Sequence, residues 1–178
     1  MKDKWLKLTS TFGVLLHLLF VAIPLDLFRW LTLKRKDVNG QVVVITGGGS
    51  GLGQRMAEIF AIDLGANVVI VDIDKQNGHA FARKCDISDD LAMNACAQEI
   101  EDSIGPVDIV ICNAAVLSFG HLMELTTKQL KLSVDVNIMG TINTIRAFLP
   151  SMESRNCGQI VAISSICGFY GETYGMAY

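Results

Sequence analysis

A doubly wound parallel α/β sheet of about five strands, preceded by a hydrophobic membrane segment, is the fold this sequence predicts, and three observations predict it. Short apolar runs at 42–45, 67–72, 107–112 and 159–164 alternate with longer stretches whose apolar residues recur at helical spacing. The first of these runs is β-branched and apolar at every position, which fits a strand buried on both faces. Residues 1–37 differ in composition and include 18 consecutive positions, 8–25, without formal charge. The expected organisation is an anchor with a basic flank over 1–37 and one nucleotide-binding domain over 38–178.

The first strand, 42–45, is broken by Thr46 and Gly47. Leu52 then opens a helix with Leu52, Met56, Ile59, Phe60 and Leu64 on one face. Strand, glycine loop and helix in that order make a phosphate site. Glycine permits the tight turn and close approach, while free N–H groups and the positive end of the helix dipole face the anion. Gly65 ends the helix, and the second strand ends at Asp72, 19 residues after Gly53. An acidic residue at that offset is placed to hydrogen-bond an adenosine ribose hydroxyl. No arginine follows to hold a 2′-phosphate, and Ser50 rather than a basic residue precedes Gly51, so NAD is expected over NADP.

Only 13 residues separate Asp72 from Asp86, although a helical crossover alone takes about 10–12. Gly78 weakens any helix there. The crossover is expected to be clipped, with a short third strand over 81–85 ending at Asp86. Ser88 should cap a helix over 89–104, with Leu91, Ala95, Ile100 and Ile104 on one face, and Gly105-Pro106 should stop it. The fourth strand, 107–112, leads into Asn113-Ala114-Ala115. A long helical region over 126–148 carries Val134, Asn137, Ile138 and Ile145, and Pro150 is expected to close it. The fifth strand, 159–164, delivers Ser164-Ser165-Ile166-Cys167-Gly168 to the carboxyl edge, where such sheets bind ligands.

A net charge of −3 and a pI near 5.5 offer no basic face for nucleic acid. Five cysteines without a C-x-x-C pair suit a reduced compartment better than a disulfide framework or a zinc site. His17, His79 and His121 lack metal-ligand spacing, and no metal is expected. Within 8–25, eleven residues are Leu, Ile, Val or Phe, contributing on the order of −5 kcal/mol to insertion. Trp5 and Trp30 flank the run as interfacial anchors. Arg29, Lys34, Arg35 and Lys36 follow it, which predicts a cytosolic domain after the segment. A single-pass anchor and a monotopic insertion or hairpin broken near Pro24 are both open. The missing small-x-small site argues against a cleaved signal peptide, and the flanks argue against a buried core helix.

Thr46-Gly47-x-x-x-Gly51-x-Gly53 together with Asp72, Asp86, Asn113-Ala114, Asn137, Ser165 and Tyr178, 13 residues after Ser165, resembles the short-chain dehydrogenase/reductase family. The resemblance covers 38–178 and implies a Rossmann-type domain binding NAD. It implies cofactor contacts at Gly47, Ser50, Gly51, Leu52, Gly53, Asp72, Asp86, Ile87, Asn113 and Ala114. It also implies catalytic roles for Tyr178 as general acid/base, Ser165 as the partner of the substrate oxygen, and Asn137, interrupting its helix, as the holder of a water in the proton relay. The leader resembles the membrane-associated branch acting on retinoids, steroids and other lipid alcohols. That implies a hydrophobic alcohol or ketone as substrate, an endoplasmic-reticulum membrane or lipid-droplet surface with the domain facing the cytosol, and a homodimer.

Two departures qualify the resemblance. Cys112-Asn113-Ala114-Ala115 stands where the family has Asn-Asn-Ala-Gly, and the family lysine four residues after the tyrosine would fall at position 182, beyond this sequence. A phenol of pKa near 10 is only about 0.1% ionised at pH 7. On that ground the chain is expected to be a fragment or truncated isoform with negligible turnover. An inactive NAD-binding or lipid-surface scaffold and an NADP-linked carbonyl reductase are the alternative functions.

Overall fold

A computed structural model of the chain describes residues 11–33, 36–74, 81–171 and 173–175. Trp5, Lys34, Arg35, Gly78 and Tyr178, each given a part above, lie outside the described residues. The chain divides into two compact units, 1–37 and 38–178.

The first unit holds one helix, α1 (Thr11–Thr32), with a mean hydropathy of 2.0 over its most apolar window. Its 22 residues span about 33 Å at 1.5 Å per residue, close to the thickness of a bilayer core. All its large apolar side chains from Phe12 to Leu31 are exposed. The helix extends past the uncharged run because Asp26 and Arg29 pair across one turn at 3.5 Å. It also passes through Pro24 without a break. A widened turn over Leu18–Ala22, closed by the Ile23 N–H donating to Leu18 O, lies directly upstream. Such a turn relieves the clash between a proline ring and the preceding carbonyls.

In the second unit five strands run parallel in the order β3-β2-β1-β4-β5. They are β1 (Val42–Thr46), β2 (Asn67–Asp72), β3 (Phe81–Lys84), β4 (Ile109–Cys112) and β5 (Gln159–Ala162). β1 and β4 are buried at every position because helices cover both faces. Alternation along β1 divides the core. Val42 and Val44 face one cluster with Met93, Ile100, Phe148 and Met152, whereas Val43 and Ile45 face a second with Ala57, Met56 and Phe60. The first cluster lies under α3 (Asp90–Ser103) and α5 (Thr141–Arg155), and the second under α2 (Gly51–Glu58) and its extension Ile59–Asp63.

Several boundaries differ from expectation. The N-cap of α3 is Asp89, whose carboxylate accepts from Ala92 N at 3.0 Å. Ser88 instead donates its hydroxyl to Asp86 Oδ1 at 2.7 Å. The long helical region over 126–148 is interrupted at Asn137 as the resemblance implies: two helices, α4 (Thr127–Val134) and α5, are joined by a widened turn over Asp135–Gly140. Pro150 does not close α5 but lies inside it, and the helix ends at Asn156 in the left-handed conformation. The local rule against proline loses here to burial of Phe148 and Met152 on either side of it. β2 and β3 pair in parallel, Val69 with Phe81 and Asp72 with Lys84, so the short third strand stands where the sequence placed it.

Candidate active site and nucleotide cleft

The site forms where β1, β2, β3 and β4 release the chain at one edge of the sheet. Thr46, fully buried, ends β1, and its hydroxyl accepts from the backbone N–H groups of Asn113 at 3.1 Å and Ala114 at 3.2 Å. Asn113 answers with its amide, donating to Thr46 O at 3.1 Å and Gly47 O at 3.2 Å. These bonds clip the exit of β4 against the glycine loop. Gly47 takes φ +65°, and a side chain there would put its Cβ 2.7 Å from the Ala114 Cα. At Gly53 a Cβ would strike the Gly47 carbonyl oxygen. The first turn of α2 therefore packs against the loop as only glycines allow.

Ser50 caps α2 in an extended conformation, and the Gln54 N–H donating to Ser50 O is the first helical bond. The N–H groups of Gly51, Leu52 and Gly53 precede that bond, which gives the loop its capacity for an anion. Asp72 folds back onto the same loop. Its Oδ2 accepts from Gly49 N at 2.9 Å and its Oδ1 from Asp74 N at 3.1 Å. Each carboxylate oxygen keeps a further lone pair for a ligand. Asp86 is fixed as a turn by Ser88 N at 2.9 Å, and the Ile87 carbonyl accepts from the Asn143 amide at 3.1 Å.

One cleft of about 510 Å³ is lined by Gly47, Ser50, Gly51, Leu52, Gly53, Asp72, Asp86, Ile87, Asn113 and Ala114. All ten cofactor positions named from the sequence meet there. A second cavity of about 240 Å³ is lined by Asn137, Ser164, Ser165, Cys112 and Cys167, and the two share Ala114 and Ala115. Ser165 opens a short 3₁₀ turn (Ile166–Gly168), its hydroxyl accepting from Cys167 N at 3.2 Å. That bond leaves the hydroxyl proton free to be donated. Asn137 sits in the widened turn, and its amide pairs with both backbone groups of Val116, at 2.8 and 2.9 Å. It thereby fixes the loop after β4. Tyr178 lies outside the described residues. Before it, Gly120 N donates to Tyr174 O at 2.9 Å and Gly120 bridges to Gly175.

Sequence reasoning missed Thr46 as the hub of the loop, although its place at the head of the motif is the signal. It also missed Cys85, which lines the cleft. The neighbouring Cys96 side chain holds the Cys85 pKa below its ordinary value, against burial and the nearby Asp86 and Asp89 charges, while the Cys85 side chain and burial raise that of Cys96. Burial pushes Cys112 up to about 11. Among the described residues no group of three His, Cys, Asp or Glu could hold a metal ion.

A parallel sheet with a glycine-loop cleft at its carboxyl edge defines an α/β architecture of the nucleotide-binding, doubly wound class. Residues 41–178 match the short chain dehydrogenase family, and the chain belongs to it. It is 33% identical over 168 residues to epidermal retinol dehydrogenase 2 of Homo sapiens, covering 86% of this chain and 53% of that protein. It is 33% identical over 147 residues to 17-beta-hydroxysteroid dehydrogenase 13 of Mus musculus, covering 76% of this chain and 48% of that protein. A solved short-chain dehydrogenase/reductase from Burkholderia phymatum in complex with NAD superposes with a TM-score of 0.75 at 29% identity, over 81% of this chain and 56% of that one. The chain spans about half the length of the curated relatives it matches.

Proposed function

We propose that this chain binds NAD in the large cleft and serves the interconversion of a hydrophobic alcohol, of the retinoid or steroid class, with its carbonyl. The observation that carries the reading is the convergence of ten sequence-named residues, from four separate strand ends, on one cleft. The residues fit the cofactor. Gly47 and Gly53 let the loop, α2 and the exit of β4 pack closely, and at Gly51 a Cβ would meet nothing within 4 Å, so the loop is open there. The opening amides of α2 suit a pyrophosphate, and Asp72 suits a ribose diol. NAD supplies hydride acceptance or donation. On this reading Ser165 donates its free hydroxyl proton to the substrate oxygen and steadies it as charge develops. Tyr178, 13 residues on, moves the alcohol proton. Asn137 keeps the loop between the two cavities in place. The names of the retinol and hydroxysteroid relatives support the substrate class. The exposed apolar surface of α1 supports a membrane or lipid-droplet location, and Arg29, Lys34, Arg35 and Lys36 after the uncharged run support a cytosolic side for the domain.

The test is nucleotide binding by calorimetry on the full chain in detergent. NAD should bind at least about tenfold more tightly than NADP, since a 2′-phosphate would meet the Asp72 carboxylate. Asp72→Ala should weaken NAD by about tenfold and abolish the preference, at the cost of one hydrogen bond to the glycine loop. Equal affinities in the parent chain, or no binding of either nucleotide, would sink the reading.

A further inference from the structure

Five glycines lie between Thr46 and Gln54, and one of them serves a side chain rather than the backbone. Gly47 and Gly51 take positive φ, and Gly53 meets the Gly47 carbonyl. Gly48 lies against Ile70, where a Cβ would come within 2.9 Å of Cγ2. Gly49 differs from all four. Its φ is not positive, so the backbone does not demand glycine there. A side chain at 49 would instead meet Asp72, with its Cβ 2.8 Å from Oδ2 and 3.1 Å from Cγ. The Gly49 N–H donates to that same Oδ2 at 2.9 Å. The Asp72 carboxylate thus rests on residue 49, in a space that exists because this residue has no side chain.

The geometry points to Gly49 as a specificity-determining residue: by leaving room for the Asp72 carboxylate against the glycine loop, it sets the preference for NAD over NADP. This rests on the NAD reading of the cleft, in which Asp72 takes the ribose diol and a 2′-phosphate would meet its charge. Gly49 acts through Asp72 and is a positioning residue.

A methyl carbon and a carboxylate oxygen do not settle at 2.8 Å, so one of them must give. The carboxylate is the one that yields. It is the far end of a rotatable side chain, whereas residue 49 is set between Gly48, packed on Ile70, and Ser50, the cap of α2. With a methyl at 49 the carboxylate loses the residue 49 N–H and turns from the loop, keeping Asp74 N at 3.1 Å as its anchor. A ribose diol then loses part of its hydrogen bonding, which weakens NAD. A 2′-phosphate meets less negative charge, so NADP is not weakened equally. Both effects narrow the preference. Folding is little affected, because residue 49 is partly exposed and water can take its N–H.

The experiment measures NAD and NADP affinity by calorimetry on the full chain in detergent, for the parent, Gly49→Ala, Asp72→Ala and the double variant. Gly49→Ala should weaken NAD about fivefold, as the loss of one hydrogen bond does, and leave NADP within about twofold. Its urea unfolding midpoint should match the parent's. In the Asp72→Ala background the same substitution should change neither affinity, because the carboxylate it displaces is gone. An unchanged preference in Gly49→Ala overturns the proposal. So does an equal loss of NAD affinity with and without the Asp72 carboxylate, since the methyl would then be disturbing the loop itself. Amide exchange at residue 49 in the nucleotide-free chain judges the positioning separately. It should quicken in Gly49→Ala and in Asp72→Ala alike, and unchanged exchange overturns the seating of the carboxylate. Failure of the parent chain to bind either nucleotide overturns the cleft reading and the selectivity with it, while the exchange result still decides whether Gly49 seats Asp72.

Discussion

Gly53 shows how much of this site is decided by single atoms. It sits inside α2, where replacing glycine by alanine would ordinarily gain about 1 kcal/mol of helix stability. Here the added methyl would strike the Gly47 carbonyl and lie 2.6 Å from the Asn113 amide nitrogen. Both neighbours are held by the Thr46 clip, so neither moves aside cheaply. Overpacking of about 1–3 kcal/mol outweighs the helical gain. Gly53→Ala should lose about 1–2 kcal/mol in urea unfolding and more than tenfold in NAD affinity by calorimetry. An unchanged unfolding midpoint would contradict the close approach. This constraint was legible in the sequence because glycine spacing reports backbone geometry directly. Contacts between residues far apart in sequence were not. Nothing local says that the Thr46 hydroxyl would take two N–H groups from the end of β4.

At the level of elements, strand identity and order of appearance were readable, because buried β-branched runs leave little choice. Helix ends were not. Ser88 and Asp89 are both good caps by type, and the choice of Asp89 follows from Ser88 being drawn to Asp86. Pro150 misled because burial of the surrounding turns outweighs its missing N–H. The interruption at Asn137 was legible through the family resemblance rather than through periodicity, and the widened turn over Asp135–Gly140 presents Asn137 to the Val116 backbone. Asn137→Ala would strand the N–H and C=O of Val116, both partly buried, at a cost of about 1–3 kcal/mol. Hydrogen exchange at Val116 should accelerate accordingly. Asn137→Asp keeps an acceptor for the Val116 N–H but turns a carboxylate oxygen toward its carbonyl, so it should rescue little. Exchange at Val116 unaffected by either change would mean the loop after β4 is held by something else.

For the molecule as a whole, the two units make separate physical demands. The sheet of 38–178 buries its central strands β1 and β4 on both faces, whereas the large apolar α1 side chains from Phe12 to Leu31 are exposed among the described residues. A lipid phase would supply an apolar destination for them, and the length of α1 is sufficient for it. Asp26 and Arg29 oppose insertion less than isolated charges would, since they pair and lie toward one end of the helix. The full chain should therefore float with phosphatidylcholine vesicles in a density gradient, and a chain of residues 38–178 should not. A charge placed mid-helix by Leu19→Arg costs about 3 kcal/mol at the bilayer centre. It should lower the vesicle-bound fraction by roughly a hundredfold in partition. If the 38–178 chain floated equally well, lipid attraction would have to be reassigned to exposed apolar residues of the nucleotide-binding unit. If Leu19→Arg had no effect while the 38–178 chain stayed in solution, α1 would be lying along the surface rather than passing its centre through the hydrocarbon.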